Sequence, residues 1–236
     1  MADPTLALLT SGGNTTATTN VTFSAQAAGT LLFLGVCADD YRTTSGSGRP
    51  ESTGWTLMES QQYNAGFYTW WKIASGSETS VDYTLNGALR SSYAVITATN
   101  IDSSPFGSSS SNVDTGSAVT SKATPSITPT AGSRWLVFAC IGSPRYSGAG
   151  CTVSAWSNSY TEIADVVTGS GTTENIAVAY LILDGGTATS TTATVTGPAV
   201  QCGAAIGSFK VAAAGSNFSP PFRRNPSRGL IMRGRR

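Results

Sequence analysis

Histidine is absent from this chain of 236 residues, and charged side chains are scarce, with 14 basic and 13 acidic residues. Without an imidazole the chain forms no Ser-His-Asp or Cys-His catalytic unit, no histidine-ligated metal site and no switch that titrates on histidine. Most familiar classes of enzyme are therefore excluded. We expect a protein that is not an enzyme, with no catalytic residues, no metal ligands and no cofactor.

Long apolar runs and cysteine motifs are also missing. Residues 1–9 have neither the basic start nor the apolar length of a signal peptide or a membrane span, which predicts synthesis in a cytoplasm without a signal peptide. The cysteines form no C-x-x-C motif, and we interpret them as small buried apolar residues: Cys37, Cys140, Cys151 and Cys202. The alternative is a disulfide bond between Cys140 and Cys151.

Serine and threonine are abundant instead, with 65 residues between them, and glycine adds 26. Together with the β-branched and aromatic residues, this composition is typical of a β-protein. Short alternating or apolar segments between turn-rich stretches indicate a sandwich or a barrel. The predicted strands are 20–26, 30–38, 55–60, 66–74, 80–85, 91–100, 123–128, 133–141, 160–167, 174–183, 190–196 and 202–212.

The second half of the chain repeats patterns of the first half in the same order, which predicts an internal duplication. The matched pairs of segments are 28–37 with 131–140, 54–58 with 159–163, 67–74 with 176–183, and 92–98 with 203–209.

The predicted fold class is all-β, with two similar, jelly-roll-like antiparallel β-sandwiches and an extended arm. Residues 1–102 form the first repeat, 103–117 a Ser/Gly-rich linker, 118–214 the second repeat and 215–236 the arm. In the alternative architecture, the two halves share one larger sandwich. The runs from Leu31 to Cys37 and from Trp135 to Ile141 are apolar at successive positions, which predicts central strands covered on both faces.

Four segments carry a resemblance to a known family: 28–32, 54–57, 71–78 and 93–102. Together they resemble accessory structural proteins of tailed bacteriophages, of the minor-tail or capsid-decoration type, over residues 20–212. The resemblance implies a non-enzymatic virion component, made in the host cytoplasm. Its implied partners are major capsid or tail subunits and further copies of itself. It brings no catalytic residues, and the arm is not a recognised feature of the family.

The arm concentrates the positive charge, because six of the 14 basic residues lie within positions 223–236 and leave residues 1–222 acidic. Its prolines and glycines exclude a continuous helix or a central strand. We predict that its apolar residues occupy grooves of neighbouring subunits while its arginines pair with carboxylates. The alternatives are contact with nucleic-acid phosphates, which is less well supported, and a solvated tail. The predicted docking residues are Phe218, Phe222, Arg223, Arg224, Arg228, Leu230, Ile231, Met232, Arg233, Arg235 and Arg236.

The aromatic segment 67–73 has two different faces, since successive side chains of a strand point to opposite sides. We assign Phe67, Trp71 and Ile73 to the core. Tyr68 and Trp70 share the other face, and the better interpretation is that they cover a second layer or an interface. The alternative is an exposed platform for sugar rings. An exposed platform would favour the alternative function, a carbohydrate-binding adhesin for host attachment.

The segment between the second and third predicted strands contains three acidic residues, Asp39, Asp40 and Glu51. Their oxygens are of the kind that bind calcium, but the spacing matches no calcium-binding motif. A solvated loop is the better interpretation.

Overall fold

In the computed structural model, residues 2–16, 18–38, 54–62, 66–84, 90–114, 119–145, 152–168, 173–197 and 202–213 are described, and these residues include no helix. The strands within them are β1 (Leu6–Asn14), β2 (Thr18–Thr22), β3 (Leu31–Ala38), β4 (Thr56–Gln62), β5 (Gly66–Ile73), β6 (Ser80–Thr84), β7 (Ser91–Ala98), β8 (Ile101–Asp114), β9 (Ser121–Ala123), β10 (Arg134–Arg145), β11 (Thr152–Trp156), β12 (Thr161–Val167), β13 (Thr173–Asp184), β14 (Thr192–Thr196) and β15 (Cys202–Val211).

The strands form two large and two small antiparallel sheets, which confirms the predicted all-β class. The large sheet of the first half has the order β1-β7-β3-β5-β4, and that of the second half has the order β12-β13-β10-β15-β8. The small sheets are β2-β6 and β11-β14-β9. We refer to the first-half large sheet as sheet A and to the second-half large sheet as sheet C.

Strand β3 shows why the layers stack as they do. Leu31 and Phe33 point into one core, whereas Leu34 and Val36 point into another on the opposite face. This period-two alternation of a continuous apolar run requires cover on both sides, and the structure supplies it. The predicted central position of this strand and of β10 is confirmed.

The two large sheets pack face to face and enclose the largest core, to which both halves contribute. At its centre the rings of Phe33 and Phe138 stack with centroids 4.5 Å apart and planes inclined by 23°. Each large sheet carries a small sheet on its outer face: β2-β6 covers sheet A, and β11-β14-β9 covers sheet C. Each half thus layers a large sheet on a small one, and the two halves form a four-layered stack with a shared central core. The jelly-roll and repeat details stay predictions.

The predicted linker is a strand over most of its length. Residues 101–114 form β8, an edge strand of sheet C that pairs with β15. Only a short turn joins it to β7, and Asn100 in that turn has the left-handed φ of 57°, a conformation that asparagine tolerates better than most residues. The serine run looks like a linker by composition, but small hydroxyl side chains also suit an edge strand beside a polar neighbour.

The two large sheets have corresponding strand orders when strands are counted from the start of each half and β11, which has no counterpart among the described strands of the first half, is left out. Phe33 pairs with Trp71 and Ile96 on its two neighbouring strands, and Phe138 pairs with Tyr180 and Gly207. By these registers Phe33 of the first half is equivalent to Phe138 of the second half. The sequence match of 28–37 with 131–140 instead aligns Phe33 with Leu136, two residues earlier. Origin of the halves by duplication stays a prediction.

Candidate functional site

The predicted sugar platform is buried. Tyr68 is 0% and Trp70 2% exposed, and their rings stack with centroids 5.6 Å apart beneath the β2-β6 sheet. Val81 and Tyr83 of β6 belong to the same core. The preferred interpretation, in which this face covers a second layer, is therefore confirmed, and the alternative of an exposed platform is wrong. The assignment of Trp71 to the other core is confirmed.

Several predicted residues lie outside the part of the chain that the structure describes. They comprise Cys151, the acidic residues Asp39, Asp40 and Glu51, and the whole set of arm residues Phe218, Phe222, Arg223, Arg224, Arg228, Leu230, Ile231, Met232, Arg233, Arg235 and Arg236. Within the described ranges, no group of three or more Cys, Asp or Glu side chains is placed to hold a metal ion.

The described cysteines are buried, as predicted: Cys37, Cys140 and Cys202. Desolvation raises the pKa of the Cys140 thiol well above its ordinary value, so this side chain stays protonated and behaves as an apolar group. Cys140 is free among the described residues; the alternative of a disulfide bond to Cys151 involves a residue outside them.

An aromatic stack reaches the surface where sheets A and C meet at one edge. The rings of Trp71 and Phe106 are nearly parallel, with centroids 5.7 Å apart and an angle of 6° between planes. Phe209 packs edge-on against both, at 5.7 and 5.9 Å. Phe209 is fully buried, whereas Phe106 remains 41% exposed. We call this pair the Trp71–Phe106 stack.

A polar seam lies beside this stack, between edge strands β4 and β8. The Glu59 carboxylate accepts hydrogen bonds from the hydroxyls of Ser109 and Ser111, both at 2.6 Å. Gln61 donates from its side-chain amide to the Ser111 hydroxyl at 2.7 Å. The serine run thus fastens the edge of one half to the edge of the other.

A cluster of charged side chains lies at the end of the four-layered stack of sheets where the described chain ends. Arg134 donates to both Asp3 oxygens, at 2.5 and 3.1 Å, and to Asp184 at 3.2 Å. The hydrogen bond from Arg134 lowers the pKa of Asp3, and the same bond raises the pKa of Arg134. These residues, together with Gly132 and Ser133, line an open surface cavity of about 510 Å³.

Two carboxylates share the outer face of β12 because a bulge shifts the register between them. Glu162 lies opposite Ala179 and Asp165 opposite Ala177. Glu162 accepts a hydrogen bond from the Trp156 indole at 2.9 Å, and Asp165 accepts one from the backbone N–H of residue 153 at 3.0 Å. Desolvation raises the pKa of both carboxyls. Both groups therefore join β11 to the edge of sheet C.

Glu78 organises the turn after β5, within a segment that carries the family resemblance. Its carboxylate accepts hydrogen bonds from the backbone N–H groups of Ser75, Gly76 and Ser77, at 2.8–3.2 Å, and pairs with the Lys72 ammonium at 3.0 Å. Desolvation raises the pKa of Glu78, but the bonds from Ser75 and Lys72 together outweigh it and hold the pKa well below its usual range. The turn is thus built around an ionised carboxylate.

Replacing Glu78 by glutamine is expected to lower the free energy of unfolding at pH 7 by about 1 kcal/mol, because an amide forms weaker hydrogen bonds and no ion pair. A carboxylate whose pKa falls on folding stabilises the fold above its unfolded pKa, near 4.5. It loses that contribution as the pH falls towards the folded pKa. Urea unfolding from pH 7 to pH 2 should therefore show a wild-type advantage that shrinks below pH 4.5. A constant difference would contradict an ionised Glu78 in the fold.

The fold and these clusters define the class of the protein: an all-β protein of stacked antiparallel sheets. Among the described residues, no helix is long and apolar enough to cross a membrane. Comparison with protein-family models, curated proteins and solved structures finds no match to this chain.

Sequence reasoning did not find the Trp71–Phe106 stack, the polar seam or the charged cluster. Phe106 lies between Pro105 and Gly107 in a serine-rich segment, which has the composition of a loop. The one available signal was the presence of a large aromatic residue in that segment, where small and polar residues otherwise dominate.

Proposed function

We propose that the protein is a non-enzymatic structural component of a bacteriophage virion, a capsid-decoration or tail accessory protein that its C-terminal arm fastens to neighbouring subunits. The observation that supports this proposal most directly is that the first and the last described residues lie at the same end of the four-layered stack of sheets. The resemblance to accessory virion proteins points in the same direction.

Hydrogen bonds connect three chain segments at this end of the four-layered stack, which we call the attachment end. The backbone N–H of Ala212 donates to the carbonyl of Asn100 at 2.8 Å, and the Asn100 side chain donates to the carbonyl of Asp3 at 3.1 Å. The start of the described chain, the turn between the halves and the exit towards the arm therefore lie side by side. Leu6, which pairs with Ala98, continues the same end into sheet A.

The opposite end of the stack carries other connections. Ala38 pairs with Gly66 and Ser91, and Arg145 pairs with Thr173, so the strand ends that lead into segments 39–53 and 146–151 lie there. A body fixed at the attachment end would present these connections outward. Exposed connections on a rigid scaffold are common sites of recognition.

The chemistry of the arm suits attachment to proteins. Its arginines offer paired donors in a planar fork, which matches carboxylates on a neighbouring subunit, and its apolar residues supply anchors. In a particle with many copies, modest individual contacts are sufficient because binding is multivalent.

Deleting residues 215–236 is expected to reduce incorporation of the protein into particles at least about tenfold, since the principal attachment would be lost. Incorporation is measured as the ratio of this protein to the major structural subunit in particles purified from cells that produce the variant. Replacing the six arm arginines by glutamine is the matched variant, and it tests the charge alone.

The circular dichroism spectrum of the truncated protein provides the control, and it should match the spectrum of the full-length protein. Normal incorporation of a folded protein without its arm would refute attachment through the arm.

A further inference from the structure

The Trp71–Phe106 stack is an incomplete aromatic cluster. Phe106 covers one face of the Trp71 ring and contacts Phe209 at its edge, yet 41% of Phe106 is exposed. The described residues contain only two other large apolar side chains with comparable exposure, Leu8 and Val167. Neither of these belongs to an aromatic cluster. Phe106 is therefore the aromatic side chain whose exposure calls for a partner.

The indole of Trp71 also lacks a hydrogen-bond partner. Its Nε1 is buried and finds no acceptor among the described residues. Buried indole N–H groups normally bond to an acceptor. A segment that covers the stack and brings a carbonyl oxygen to this N–H would satisfy both the ring and the donor.

The position at which the described chain ends identifies a candidate segment. Val211 pairs with Ile101 and Phe209 with Phe106, so Phe106 lies level with Phe209, four residues or roughly 13 Å back from Ala213 for a rise of 3.3 Å per residue. Phe218 is five residues beyond Ala213, the last described residue, and an extended chain of that length spans at most about 18 Å. The first aromatic residue of the arm can therefore reach Phe106 within the same molecule.

Charge does not oppose docking along this edge. Strand β8 carries no basic residue, and the Glu59 carboxylate of the neighbouring edge strand faces its serines. Asp102 already pairs with Lys210 at 3.6 Å, so it adds little attraction. The six arginines of the arm lie beyond Phe218, and the aromatic contact with the unsatisfied indole N–H therefore carries the docking.

We propose that the first part of the C-terminal arm docks on the Trp71–Phe106 stack of its own chain, with Phe218 against Phe106 and a backbone carbonyl of the arm accepting from Trp71 Nε1. This docking deepens the proposed function, on which its biological meaning rests. It directs the arginine-rich part of the arm to the side of the body formed by β4 and β8. The side chains from Phe222 onward remain available to a neighbouring subunit.

A photoreactive residue tests the contact in the full-length protein. Phe218 is replaced by p-benzoylphenylalanine, which keeps an aromatic side chain, and the irradiated protein is digested and mapped by mass spectrometry. We expect intramolecular cross-links to β8 around Phe106 or to β5 around Trp71. The same photoreactive residue at Met232 is the control and should give few cross-links to these strands.

A mixture of ¹⁵N-labelled and unlabelled protein distinguishes docking within one chain from docking between copies. Cross-linked peptide pairs from a single chain carry one isotope only, and we expect these to dominate. Mixed-isotope pairs, or cross-links that avoid β5 and β8, would overturn the proposal.

Proteolysis gives an independent readout. Docking should protect the bond after Phe222, because the residues that precede it lie next to the docked Phe218, so Phe218→Ser is expected to increase the rate of chymotrypsin cleavage there about fivefold or more. Leu230→Ser is the matched variant beyond the docked part and should leave this rate unchanged. An unchanged rate in Phe218→Ser would contradict docking.

Different experimental results would refute the docking proposal and the attachment proposal. If the arm does not dock on the stack while its deletion still prevents incorporation, the docking proposal is wrong and attachment stands. If the arm docks while its deletion leaves incorporation normal, docking stands and the attachment function is wrong.

Discussion

Replacement of Phe138 by alanine is expected to lower the free energy of unfolding by about 3–5 kcal/mol, the usual cost of removing a buried phenylalanine ring. Phe138 is 1% exposed and lies between sheets A and C. Its ring stacks on Phe33 at 4.5 Å and packs edge-on against Phe209 at 6.0 Å. Because strands on all sides hold these rings, the cavity can collapse only in part.

Urea unfolding followed by fluorescence and by circular dichroism measures this loss. Both probes should give one coincident transition, because the core that Phe138 fills belongs to both halves. Phe138→Leu is the matched control and should cost less, since it retains much of the apolar volume. Separate transitions for the two halves would contradict a shared core.

The second large effect is expected in another layer of the fold. Trp70→Ala should lower the free energy of unfolding by about 3–5 kcal/mol, because it removes a large ring that is 2% exposed. The ring packs against Tyr68 and lies under the β2-β6 sheet. Its loss weakens the contact between sheet A and this small sheet.

Hydrogen exchange locates the effect of Trp70→Ala. Amides of β2 and β6 should lose protection first, while those of β10 and β15 change less, because the central core remains filled. Trp55→Ala is the matched control, since Trp55 is only partly buried at the margin of the same core, and its cost should be smaller. A Trp70→Ala protein of wild-type stability would contradict the burial of this face.

The contrast between Trp70 and Trp71 shows which features of the aromatic strand could be predicted from the sequence. Period two in the aromatic strand correctly separated the two faces and assigned Trp71 to the central core. It also favoured cover over the Trp70 face, and strands were predicted at 20–26 and 80–85, but nothing in the sequence showed that these two strands pair with each other and lie over Trp70. Their contribution to that core comes from Val21, Val81 and Tyr83, which are too few to identify the sheet that they cover.

Strand β8 was hidden for a different reason. Composition alone favours a flexible linker where serine and glycine are frequent, and the local pattern lacks apolar alternation. What makes these residues a strand is their pairing with β15 and the bonds from Ser109 and Ser111 to Glu59. Those partners lie about 50 to 100 residues away in sequence, and no local signal identifies them.

Of the candidate site, the sequence predicted the arm but not the surface on which we propose that it docks. The arm is visible as a cluster of arginines and prolines because charge needs no structural context to be counted. The surface that we propose for its docking requires Trp71 and Phe106 to meet across two sheets, which follows from packing alone. Predicting it would have required the order of the strands beforehand.

The face-to-face contact of sheets A and C resembles the interface of a symmetric dimer. Two sheets with corresponding strand orders meet with Phe33 against Phe138, residues at matching positions, as the subunits of a two-fold homodimer do. Here both partners belong to one chain, joined by a short turn at Asn100. An interface of this kind does not dissociate on dilution, so the body remains assembled at any protein concentration.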